Sequence, residues 1–187
     1  MAASTHTTDV YTFFRKKPLS FDGIVFSGEH SKNPQKENGT PPIYHINVGN
    51  RSLELLEQKA GGVEAVVTGG FEGHSQSKAL LRTKNSLASA KTNHRFSRGW
   101  TFVYLSSEYK WSVSAMSSKW TLTDVNKKVE VAFFKRSSLK LMQIGTLSIY
   151  HNDGTDMPID PEFIALIVLT CKMVHYTNEV YEMAAVS

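Results

Sequence analysis

The segment that most constrains the fold is residues 160–180, DPEFIALIVLTCKMVHYTNEV. It is predicted to be a helix, because Asp160 is a good N-cap, Pro161 suits the first helical position and Glu162 complements the helix dipole. The run 164–169 places apolar side chains in every direction around the helix axis. A short helix that is apolar on all sides requires apolar surroundings on all sides.

A lipid bilayer is not expected to provide these apolar surroundings, because the segment does not have the features of a membrane helix. The uncharged apolar run covers only residues 163–171 before Lys172 interrupts it, whereas a transmembrane helix needs about 20 mostly apolar residues. A helix lying on a membrane surface needs a polar face, which this segment lacks. We therefore expect no transmembrane segment and predict that the helix lies inside the protein.

Most of the preceding chain is predicted to form short β-strands. The segments are PIYHINVG, SLELLEQ, VEAVVTGG, GWTFVYL, YKWSVSAM, KWTLTDV, KVEVAFFK and LKLMQIGTLSIY. A further segment, SKALLRTK, is a strand or a short helix. Alternation places Trp120, Leu122 and Asp124 on one face of their strand, and Val129, Val131 and Phe133 on one face of the next.

A sheet closed around the helix would bury the helix and leave no exposed sheet edge. The prediction is thus a mainly β protein, a closed antiparallel barrel with one buried C-terminal helix. Its 187 residues are enough for a sizeable core. Lys172 and His175 are expected to reach solvent at the barrel mouth, where cations suit the C-terminal half of the helix.

A single domain is predicted over residues 10–180. Residues 1–9 are expected to be a flexible N-terminus, 27–42 an exposed polar loop and 181–187 a C-terminal tail. The single cysteine, Cys171, excludes an internal disulfide framework and is expected to be inert packing. The first residues do not resemble a signal peptide, which favours a cytoplasmic protein, with peripheral membrane contact left open.

The order of these segments resembles that of uncharacterised fungal members of the tubby C-terminal-domain-like superfamily, which also holds LURP-one-related proteins and phospholipid scramblases. The matching segments are PIYHINV, GGVEAVVTGGF, FSRGWTFVYLSSEYKWSV, KWTLTD, VEVAFFKR, TLSIY and DPEFIALIVLTCKMVHY. The resemblance implies a closed antiparallel barrel of about twelve strands around a hydrophobic helix. Tubby domains bind phosphoinositides through basic residues, but the resemblance does not assign those residues one by one to positions in this chain.

A basic stretch is the best candidate for a binding site. Residues 73–107 contain no Asp or Glu, although the whole chain carries a net charge of only +4. The cations of this stretch are Lys78, Arg82, Lys84, Lys91, Arg95 and Arg98, accompanied by His74 and His94. Such asymmetry favours a non-enzymatic module that binds anionic phospholipid or phosphoinositide head groups. A solvated basic surface without a partner is the plainer alternative.

Other ligands have weaker support. Nucleic acid is not favoured, since no helix-turn-helix, zinc-finger or aromatic RNA-binding signature is present. A second basic segment, FFKRSSLK, adds Lys135, Arg136 and Lys140, which fit an ordinary hairpin surface. The aromatic residues are expected in the core, although exposed aromatics would support a soluble protein- or carbohydrate-binding protein. These are Trp100, Tyr104, Tyr109, Trp111 and Trp120.

No catalytic or metal-binding pattern emerges. GHSQS, residues 73–77, resembles a nucleophile elbow but lacks its final Gly and the strand–turn–helix context. The seven histidines show no close pair at ligand spacing, and HNDGTD lacks the calcium-loop pattern. No phosphate-binding loop or dinucleotide fingerprint occurs. We therefore expect neither an enzyme nor a bound cofactor or metal.

Overall fold

A computed structural model describes residues 7–72, 77–94, 97–114, 118–137, 141–151 and 160–185. The described residues form twelve strands and two helices. These elements are β1 Thr7–Arg15, β2 Gly23–Ser27, α1 Pro34–Asn38, β3 Tyr44–Val48, β4 Ser52–Lys59, β5 Gly62–Glu72, β6 Lys78–Arg82, β7 Leu87–His94, β8 Ser97–Tyr104, β9 Ser107–Val113, β10 Lys119–Asp124, β11 Val129–Arg136, β12 Gln143–His151 and α2 Pro161–Ala184.

The sheet is an antiparallel meander that closes on itself. Each strand pairs with its neighbours in sequence, and β1 pairs with β12 to complete the barrel. The predicted closed barrel is therefore confirmed, and the ambiguous segment SKALLRTK forms strand β6. Pairing of Thr7 with His151 and of Asp9 with Ile149 shows that β1 begins within the segment 1–9, which was expected to be flexible.

Helix α2 occupies the barrel interior. It begins as predicted, because the Asp160 side chain accepts a hydrogen bond from the Glu162 backbone N–H at 3.0 Å. Nearly every residue from Phe163 to Asn178 is buried, and the helix packs against β4, β5, β8 and β12 around the closed sheet. The helix continues to Ala184, so the residues 181–184 expected in a tail belong to its last turn.

Two expectations about α2 are wrong. Lys172 and His175 do not reach solvent at the barrel mouth: Lys172 is fully buried and His175 is only 3% exposed. The barrel wall covers the helix well beyond its uncharged segment, down to Asn178. Two ionisable groups are consequently held inside the core.

A β-bulge overturns the predicted face of β11. Trp120, Leu122 and Asp124 do share the buried face of β10. On β11 the register shifts opposite Leu122 and Thr123, so that Val131 and Ala132 are both buried. Beyond this point the alternation is inverted. Phe133 therefore lies on the outer surface, where it contacts Tyr150 and the Lys119 ammonium group, instead of sharing a face with Val131.

The polar segment 27–42 is mostly exposed, yet it contains the short helix α1. Asn33 caps this helix by accepting a hydrogen bond from the Gln35 N–H, and Pro34 is buried in its first turn. The segment is also attached to the barrel wall. The His30 N–H donates to the Thr12 hydroxyl, and the Gln143 amide donates to the His30 carbonyl.

Candidate functional site

Three adjacent strands carry the basic stretch, and their outer surface is named here the β6–β8 face. On β6, Ala79 and Leu81 point into the core, so Lys78, Leu80 and Arg82 point outward. On β7, Ala88 and Ala90 are buried while Lys91 is exposed. The alternation of inward and outward side chains thus places these cations, together with Leu80, on one side of the wall.

The register brings two of the predicted cations directly opposite each other. Lys78 of β6 pairs with Lys91 of β7, which puts their Cβ atoms about 4.5–5.5 Å apart. Like charges in this position destabilise a sheet. Glu72 of β5 lies on the other side of Lys78 and offsets part of the charge. Among the described residues, no carboxylate forms an ion pair with Lys78, Arg82 or Lys91.

The other predicted site residues lie away from the Lys78–Lys91 pair or have side chains outside the described residues. Arg82 is exposed at the far end of β6. Lys84 is exposed in the turn between β6 and β7, close to the first turn of α2. The side chain of Arg98, on β8, and all of Arg95 lie outside the described residues, as do His74 and the side chain of His94.

The described part of the second basic segment does not form a comparable surface. Lys135 is exposed, but the Arg136 guanidinium donates two hydrogen bonds of 2.7 Å to the Glu182 carboxylate of α2. Arg136 therefore joins β11 to the helix. Ser138 and Lys140 lie outside the described residues.

The aromatic residues of the central strands are core residues, as expected. All five are buried: Trp100, Tyr104, Tyr109, Trp111 and Trp120. Two of them bind the helix through their indole N–H groups, with Trp100 donating to Thr177 and Trp111 to Thr170, each at 3.1 Å. These rings offer no exposed platform on which a sugar could stack.

A cavity of about 230 Å³ opens beside the first turn of α2, and the sequence did not indicate it. Its charged lining residues are Glu57, Lys59, Glu64, Lys84 and Glu162. Lys59 bridges Glu57 at 3.4 Å and Glu64 at 2.5 Å, while Thr83 and Asn85 donate hydrogen bonds to Glu162. Carboxylates outnumber ammonium groups here, so the cavity is poorly suited to an anionic ligand.

Inside the opposite end of the barrel, four ionisable side chains cluster: Arg15, Lys172, His175 and Glu179. Arg15 donates hydrogen bonds to Glu179, and His175 Nδ1 lies 3.1 Å from Glu179 Oε2. Among the residues that the structure describes, the buried Lys172 ammonium group has no hydrogen-bond partner. Burial lowers the pKa of Lys172 to about 8 and that of His175 to about 4. In the sequence, this cluster was indicated only by the apolar residues that continue on both sides of Lys172.

Two classes of feature are absent from the described part of the chain. Its His, Cys, Asp and Glu side chains include no group of three or more arranged to hold a metal ion. Within the same residues, no helix is both long and apolar enough to cross a membrane. Cys171 is buried in α2, and burial raises the pKa of its thiol well above the usual value.

Comparison with known proteins identifies a fold and no family. No protein-family model matches the chain, and no curated protein matches its sequence. The crystal structure of a protein from Arabidopsis thaliana, AT5G01750, superposes with a TM-score of 0.56 and 14% sequence identity. The match covers 89% of this chain and 91% of the Arabidopsis chain. The two proteins therefore share the barrel fold along nearly their whole lengths.

Proposed function

We propose that this protein is a non-enzymatic, tubby-like module that binds anionic phospholipids, including phosphoinositides, through the β6–β8 face. The observation that carries the proposal is the pairing of Lys78 with Lys91 across two strands, with Arg82 on the same surface. A repulsive lysine pair weakens the sheet. An anionic ligand would remove that repulsion. Binding such a ligand therefore explains why two lysines occupy these paired positions.

The proposal fits the magnitude of membrane electrostatics. Each cation near an anionic leaflet contributes about 1 kcal/mol. Lys78, Arg82 and Lys91 together would give weak, reversible membrane binding, reduced somewhat by Glu72. Because exposed charges are screened over about 8 Å at physiological ionic strength, binding should weaken as salt is added.

The test is co-sedimentation with vesicles of phosphatidylcholine alone and of phosphatidylcholine containing phosphatidylserine or a phosphoinositide. The double variant Lys78→Gln/Lys91→Gln should reduce binding to anionic vesicles by about tenfold or more. The control is Lys16→Gln/Lys17→Gln, which removes two exposed lysines from the β1–β2 loop on the far side of the barrel.

Equal loss of binding in the two double variants would show that only net charge matters and would contradict a site on the β6–β8 face. Failure of the unmodified protein to bind anionic vesicles at low salt would contradict the proposed function altogether.

A further inference from the structure

The β6–β8 face carries exposed apolar residues as well as cations. Leu80, Leu87 and Val103 all point outward, and Leu105 lies in the turn that follows β8. Leu80 and Val103 each pair with Ser89, so they occupy one row across the three strands. Leu87 and Leu105 each lie two residues beyond the Ser89–Val103 pair, toward the same end of the barrel. These four residues lie on one outer surface, with the exposed Ser89 between Leu80 and Val103; they are named here the apolar strip.

Leu105 has a backbone conformation that is unfavourable for leucine. With Ser106 it forms the two-residue turn between β8 and β9, and their φ angles are +45° and +66°. Turns of this kind favour Asn and Gly, because positive φ is costly for residues with a bulky side chain. Leu105 is also 67% exposed, so core packing does not compensate for the strain. Strain of this kind is often retained at functional positions.

Cations lie on both sides of the apolar strip. Lys78 and Lys91 form the row next to Leu80 and Val103, while Arg82 pairs with Leu87 near the opposite side. Glu108 of β9 pairs with Val103, so one carboxylate also borders the strip. Cations still predominate around the apolar side chains, as at the boundary of an anionic bilayer, where acyl chains lie beneath negatively charged head groups. A soluble head group would use the cations alone and leave the leucines in water.

We infer that the apolar strip inserts into the bilayer, with Leu105 entering deepest, while Lys78, Arg82 and Lys91 contact the head groups. This inference rests on the proposed function and specifies its partner as a membrane rather than a free phosphorylated head group. Insertion adds a contribution that salt does not screen, since burial of apolar surface is not an interaction between charges.

The deciding variant is Leu105→Asn, compared with Leu19→Asn. Both leucines are exposed and have positive φ, but Leu19 lies in the β1–β2 loop across the barrel. Asn tolerates positive φ, so neither variant should be less stable than the parent protein. Thermal melting would verify that both variants are as stable as the parent protein. A loss of binding in Leu105→Asn could then not be attributed to unfolding.

Partition to vesicles containing 30 mol% phosphatidylserine should fall about tenfold for Leu105→Asn, with little change for Leu19→Asn. Binding of a water-soluble, short-chain phosphoinositide should be unchanged in both variants. Unchanged vesicle binding in Leu105→Asn would contradict insertion of the apolar strip and leave the electrostatic proposal intact. Equal losses of binding in Leu105→Asn and Leu19→Asn would lead to the same conclusion. Absence of vesicle binding by the parent protein would overturn both.

Discussion

Trp111 of β9 donates a hydrogen bond from its indole nitrogen to the Thr170 hydroxyl, 3.1 Å away in the middle of α2. Trp100 of β8 makes the same bond to Thr177 two turns later. Apolar contacts alone are non-directional and would hold an all-round apolar helix in several rotational settings. We infer that these two directional bonds select one rotation of the helix about its axis.

Thr170→Val should lower the free energy of unfolding by about 1–3 kcal/mol, because the valine has nearly the same shape but leaves the buried Trp111 indole without its hydroxyl acceptor. Urea denaturation would measure the change. In a Trp111→Phe background the same substitution should cost much less, since no indole N–H remains to be satisfied. Equal costs in both backgrounds would show that the bond does not stabilise the fold.

Lys172→Met should stabilise the protein at pH 7 by about 1–3 kcal/mol, since a buried ammonium group is replaced by an apolar side chain of similar length. The advantage should shrink as the pH rises from 8 towards 10.5. Over this range the folded state releases the Lys172 proton before the unfolded chain does, so the stability of the parent protein increases relative to the variant.

The measurement is chemical denaturation of both proteins at pH 7, 8, 9 and 9.5. Because Cys171 and the tyrosines are present in both, the difference between the two curves isolates Lys172. A difference that stays constant with pH would mean that the pKa of Lys172 is not lowered in the folded protein.

Glu179→Gln should cost about 2–4 kcal/mol, far more than Glu182→Gln at about 0.5–1 kcal/mol. Glu179 is the carboxylate that pairs with Arg15 and contacts His175 inside the barrel, and its removal leaves the largely buried Arg15 guanidinium and Lys172 ammonium groups without its negative charge. Glu182 binds Arg136 where both side chains are partly exposed, so water can replace it. Thermal melting of the two variants would compare them, and similar losses would contradict the difference in burial.

Gly145→Ala should be destabilising by about 1–3 kcal/mol, the usual cost of overpacking a closed structure. A Cβ at this position would overlap the Lys135 carbonyl oxygen and the Phe134 ring. Strands pair with β12 on both sides at this residue, so the backbone has little freedom to move away. Gly61→Ala is the matched control, because a Cβ there meets nothing within 4 Å; it should change the unfolding free energy by less than about 0.5 kcal/mol.

Much of the fold followed from local sequence patterns. Alternation along β9 and β10, and the N-cap at Asp160, depend on neighbours within a few residues, so they could be predicted without a structure. The outer face of β11 could not, because the bulge at Val131 is set by pairing with β10. The continuation of α2 to Ala184 was missed because the polar end of the helix is stabilised by distant partners, Arg15 and Arg136.

The candidate site, too, could be predicted from the sequence only in part. Its cations were recognisable because acidic residues are missing from one continuous segment, which is a property of composition. The opposition of Lys78 and Lys91 and the grouping of Leu80, Leu87, Val103 and Leu105 required the register of three strands. No local pattern encodes that register, since a shift of one residue would turn every side chain to the other face.

The amino-acid pattern alone requires that a helix apolar on all sides be covered by a β-sheet, because such a segment is stable neither in water nor, at this length, across a bilayer. Which polar groups enter that core depends on the three-dimensional packing. Lys172 and His175 became buried because the closed wall extends past the uncharged part of the helix. Their environment depends on Arg15 and Glu179, which are brought together only when the first strand and the last helix pack against each other.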